Sequence, residues 1–137
     1  MAPRIAFSVF AMLALCIVSC SPKQQAEPPL TAEGKAYIRY LPLTDVGMKA
    51  TESYAKQVIT EIEGKVTNTG NRTVEFAEVA CVFYDSIGQV VLREKATIVR
   101  RPLRPGETQA FRLPFDDIPS GWNNQMPQLV VAQIRLS

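Results

Sequence analysis

The chain of 137 residues contains no histidine. That removes Ser-His-Asp and Cys-His nucleophilic catalysis, histidine metal ligation and imidazole pH switching. Three cysteines remain, at positions 16, 20 and 81. Cys81 lies between Val79 and Phe83 with no base in the sequence to activate it, so it reads as a small buried hydrophobe rather than a nucleophile. Glu61, Glu63, Asp116 and Asp117 would support a hydrolase run on carboxylates alone if two of them converged in a cleft. Asp116 and Asp117 also offer oxygens to Ca²⁺, but adjacent strand residues point apart and no D-x-D-x-D-G loop is present, so no metal and no cofactor is expected. Arg100, Arg101 and Arg104 form the most basic stretch. They fit anionic headgroups, an acidic partner, or a solvated loop beside a guarded strand edge. Trp122, between Pro119-Ser120-Gly121 and Asn123-Asn124, is either a plug over an open end of the core or an exposed contact residue. These three arginines and Trp122 are the candidate contacts.

Cys20 has the most specific context. Arg4 is followed by residues 5–18, a run whose only polar member is Ser8. A membrane span needs roughly 20 apolar residues, so the run is too short to cross comfortably and reads as a secretory signal helix. Ile17-Val18-Ser19-Cys20 resembles the bacterial lipobox: an aliphatic residue, a tolerant position, a small residue, then cysteine. That resemblance implies cleavage between Ser19 and Cys20 and diacylglycerol on the Cys20 sulfur. At ~0.8 kcal/mol per buried methylene, two or three acyl chains hold a protein on its membrane. Position 21 is Ser rather than Asp, which by resemblance to Gram-negative sorting implies the outer membrane, facing the periplasm. Cys81 would then be the one free thiol, without a disulfide partner.

The rest of the chain must supply the platform. Charge is nearly balanced, 15 basic against 13 acidic residues for a net +2, and gives no reason to expect a nucleic-acid partner. Residues 1–19 are assigned to the signal, 20–36 to the lipidated cysteine and a Pro-bearing flexible tether, and 37–137 to one domain. Within it, Val79, Cys81 and Phe83 alternate with Ala80, Val82 and Tyr84, a strand apolar on both faces. Asp85-Ser86-Ile87-Gly88 turns the chain, so residues 74–98 read as a hairpin. Residues 68–71 and 104–107 are further turns. A strand is expected over 57–67, a helical turn around 51–55, and a last strand over 129–136 with Val130, Ala132, Ile134 and Leu136 on one face. The spacing predicts an all-β antiparallel sandwich.

Gly64-Lys65-Val66-Thr67-Asn68-Thr69-Gly70 resembles the opening of FxLYD-type domains. Val82-Phe83-Tyr84-Asp85 with Gly88 is similar to their strand-and-turn segment, and Leu103-Arg104-Pro105-Gly106-Glu107 with Phe111 to a third. Cys81 and Phe83 depart from the pattern, but both are apolar. The resemblance covers roughly residues 57–115. It implies an immunoglobulin-like sandwich of about seven strands in a cell-envelope lipoprotein, and no assigned activity. The expectation is a non-catalytic module contacting another envelope protein. The alternative is a binding module for a metal ion, glycan or small molecule.

Overall fold

The computed structural model describes residues 30–52 and 55–137. The expected signal helix, Ser19/Cys20 cleavage, Cys20 lipidation and the expected tether as far as residue 29 lie outside the described residues. Six strands form among the described residues, against the seven or so expected: β1 (Leu43–Glu52), β2 (Val58–Thr67), β3 (Val74–Tyr84), β4 (Val90–Val99), β5 (Thr108–Phe115) and β6 (Gln128–Leu136). They make two antiparallel three-stranded sheets, β1-β2-β5 and β4-β3-β6. Ile62, Val66, Phe111, Leu113 and Phe115 from the first sheet meet Val79, Cys81, Phe83, Ile98 and Val99 from the second in one apolar core.

β3 is central and buried on both faces: Val79, Ala80, Cys81 and Phe83 are fully buried and Val82 almost so. The β3–β4 turn is set by Asp85, whose Oδ1 accepts from the backbone N–H of Ile87 (3.0 Å) and Gln89 (2.7 Å). Gly88 follows at φ +83°, which a side chain would resist.

Three expectations need correction. Thr51 and Glu52 end β1 rather than beginning a helical turn; their backbones pair with Ile59 and Val58. In β6, Glu78 faces Gln133 but Val79 faces Val131, so Ala132 is an extra residue in the ladder. That bulge reverses the side-chain phase. The inner side therefore takes Leu129 and Val131 before it and Ile134 and Leu136 after it, while Val130 is exposed. Finally, the last part of the segment read as tether belongs to the fold. Ala32–Tyr37 forms a short helix, α1, capped by the Thr31 hydroxyl accepting from Gly34 N–H (3.0 Å). A 3-10 turn, Ile38–Tyr40, follows and delivers the chain to β1. Burial of Tyr37 and Leu41 in the core supplies the reason. Among the described residues, no helix is long and apolar enough to cross a membrane.

Candidate functional site

The strands run between two ends. At one end lie α1, the 3-10 turn, the 68–73 turn, the 100–107 loop and Ser137. At the other lie the β1–β2 and β3–β4 turns and the 116–127 segment. The first end is fastened by Asn68, which is fully buried. Its Nδ2 donates to the carbonyls of Arg72 (2.7 Å) and Leu103 (2.9 Å). Its Oδ1 accepts from the Tyr37 hydroxyl (2.9 Å) and from Gly70 N–H (3.1 Å). Its backbone N–H donates to Glu107 O (2.9 Å), and its carbonyl accepts from Gly106 N–H (2.7 Å). One side chain thus joins α1, the 68–73 turn and the arginine loop, with every valence used. Gly70 is required because a Cβ there would collide with the Tyr37 hydroxyl. Gly64 faces Phe111 across β2 and β5, and a Cβ there would lie 2.5 Å from Phe111 Cζ. These roles give physical content to the spacing of Gly64, Val66, Asn68 and Gly70.

Arg100, Arg101 and Arg104 are exposed on the loop that Asn68 holds, as the sequence suggested. They form no ion pair among the described residues. Arg100 and Arg101, with Arg112, line an open groove of about 540 Å³ between β4 and β5. Trp122 lies at the opposite end, so the four candidate contacts do not form one site. Its ring meets Phe83 edge-on at 5.5 Å, and Phe83 meets Phe115 at 5.0 Å. Its Nε1 donates to Gln125 O (3.1 Å). That is the geometry of a plug with one edge left in solvent.

Glu61 and Glu63 on β2 share the outer face of their sheet with Lys49 of β1 and Arg112 of β5. Lys49 Nζ is 3.2 Å from Glu61 and 2.6 Å from Glu63; Arg112 is 3.4 Å and 2.8 Å from them. The hydrogen bond from Lys49 holds the Glu63 carboxyl below the usual carboxylate range. Its bonds to Glu63 and then Glu61 raise the Lys49 ammonium above its ordinary value. A general acid needs the opposite shift from its carboxyl. Asp116 and Asp117 are exposed at the end of β5. Among the described residues no group of three or more acidic or cysteine side chains is placed to hold a metal ion. Burial pushes the Cys81 thiol up to about 12, the Glu94 carboxylate adding to the shift.

Sequence reasoning missed Tyr37 and Asn68 as the elements positioning the arginine loop. The signal was present in Asn68-Thr69-Gly70, read only as a turn. No family model and no curated protein matches the chain. A solved structure of a Bordetella pertussis protein bearing the ApaA name matches at 18% identity and a TM-score of 0.37, covering 70% of this chain and 92% of that one. No property of this chain follows from that likeness.

Proposed function

We propose that this protein is a bacterial lipoprotein, anchored through Cys20 in the cell envelope, whose immunoglobulin-like sandwich is a non-catalytic module that contacts another envelope protein. In a Gram-negative cell the anchor would lie in the outer membrane, facing the periplasm. The observation that carries the module reading is where apolar surface is left exposed. Among the described residues the three most exposed large apolar side chains, Ile87, Val58 and Val90 at 76%, 64% and 55%, lie with Met126 (40%) at the end away from α1, whereas Tyr40 and Val46, at 40% and 38%, lie toward the α1 end. Large apolar side chains gathered at one end of a small sandwich suit a protein contact. The FxLYD resemblance supports the finer description of the sandwich, since Gly64, Asn68, Gly70, Leu103 and Gly106 each meet a steric or hydrogen-bonding need. A photo-crosslinking residue placed at Ile87 or Met126 in cells should capture one dominant partner, while the same residue at Ala36 should not. Equal labelling from both ends would count against the reading.

A second reading, a ligand-binding module, draws on the groove between β4 and β5. It predicts a ligand-dependent rise in melting temperature that Arg112→Gln abolishes.

A further inference from the structure

Five cationic side chains at the α1 end have no ionic partner among the described residues: Lys35, Arg39, Arg100, Arg101 and Arg104. On the sheet faces Lys49, Lys65, Arg112 and Arg135 each meet a carboxylate, and Arg93 is the exception there among the described residues. A sixth, Arg72, pairs with Glu33. Against these six cations, the helix, turns and loop of the α1 end carry Glu33 and Glu107 among the described residues, while Asp45 and Glu75 near the strand starts are paired with Lys65 and Arg135. The opposite end reverses the balance, with Glu52, Asp85, Asp116 and Asp117 against Lys56. The domain is therefore polarised along its strands. Tyr40 adds to the basic end an aromatic ring 40% exposed, a residue type favoured at the level of lipid headgroups.

The covalent chain joins the fold at the basic end, so that end stays within the tether's reach of the anchor, and the charge polarity selects it over the acidic end. The described fold begins at Leu30 on the basic end. Nine residues, 21–29, separate it from Cys20, and even fully extended the ten steps reach at most about 36 Å. The acidic end stands another ~33 Å away, the length of a ten-residue strand. We propose that the end bearing Lys35, Arg39, Arg100, Arg101 and Arg104 rests on anionic phospholipid headgroups. The sandwich then stands end-on over its membrane and points Ile87, Met126 and Trp122 outward. This rests on the lipid anchor proposed at Cys20 and supplies what the anchor alone does not, an orientation. The Asn68 and Tyr37 bonds tie α1 to the arginine loop at this end. Each basic residue close to an anionic leaflet raises partitioning about fivefold, so neutralising three lowers it by roughly a hundredfold.

The test uses the full-length protein purified from membranes, reconstituted into vesicles of phosphatidylethanolamine alone or mixed with phosphatidylglycerol. An environment-sensitive dye is placed at Pro105→Cys, in the exposed 104–107 turn, and Trp122 reports on the far end. With phosphatidylglycerol, headgroup-attached quenchers should quench the dye and spare Trp122. High salt and the triple variant Arg100→Gln/Arg101→Gln/Arg104→Gln should each remove the quenching, with circular dichroism of the variant unchanged. Equal quenching in both vesicle types, or quenching of Trp122 in place of the dye, would overturn the proposal. So would binding of polyglutamate without binding of vesicles, which would assign this end to an acidic protein. Intact mass reads acylation of Cys20 separately. If no acyl chain is found, the anchor reading fails on its own, and cosedimentation of the same protein with phosphatidylglycerol vesicles still decides the headgroup contact.

Discussion

Asn68→Ala tests whether one buried amide holds the basic end together. The substitution removes four side-chain hydrogen bonds, each contributing a net ~1 kcal/mol. Two of the abandoned groups keep other partners: Leu103 O still accepts from Val74 N–H, and Arg72 O lies 2.9 Å from the Tyr37 hydroxyl. Gly70 N–H loses the acceptor supplied by Asn68. The expected loss is about 3–4 kcal/mol, a large share of the 5–15 kcal/mol typical of a domain. With a urea m-value of about 1.5 kcal/mol/M, the midpoint should fall by roughly 2 M. Asn71→Ala, three residues along the same turn and exposed, should change stability by no more than ~0.5 kcal/mol. Asn68→Asp adds a sign. It keeps both acceptors but turns the two donors into a carboxylate facing the carbonyls of Arg72 and Leu103. Its folded pKa must rise above the ~3.9 of the unfolded chain. That variant should therefore gain stability as pH falls from neutral towards 4, the reverse of ordinary acid denaturation. Urea midpoints that drop by less than ~1 kcal/mol equivalent for Asn68→Ala would refute the reasoning.

Gly64→Ala should destabilise the fold by about 1–3 kcal/mol through contact with Phe111, and the double variant with Phe111→Leu should recover part of that loss in a thermodynamic cycle. With its thiol pushed up to about 12, native Cys81 should resist iodoacetamide at pH 8 and react only once urea exposes it. The unfolded thiol ionises near 8.5 while the folded one does not, so the Cys81 contribution to stability should decline as pH rises from about 9 towards 12. Trp122→Ala should cost about 3 kcal/mol by denaturation, because the ring packs on Phe83; a merely exposed tryptophan would cost almost nothing.

The strands with strong apolar alternation were legible in the sequence. β3 declared itself through Val79, Cys81 and Phe83, and its hairpin with β4 through Asp85 and Gly88. β1 was not singled out, because an edge strand with most side chains in solvent has no apolar face to betray it. The inward face of β6 was misread because a bulge at Ala132 leaves no mark in composition. α1 escaped notice for a related reason. Six residues are too few to show helical periodicity, and only Tyr37 and Gly34 are buried. Of the candidate contacts, the arginines were legible as charge, but their common end with Lys35 and Arg39 follows from chain topology. Asn68 was legible as a turn former, not as a hub, because its side-chain partners lie up to 35 residues away.

The lipid anchor at Cys20 is the claim on which the functional reading most depends. It is tested most directly by intact mass and membrane fractionation of the wild type and of Cys20→Ser, expressed in a bacterial host. The account predicts a wild-type chain that begins at Cys20, carries diacylglycerol and sediments with membranes, and a variant with no acyl mass. A wild type without acyl mass, or a variant that keeps the same acylated mass and the same membrane fraction, would contradict it.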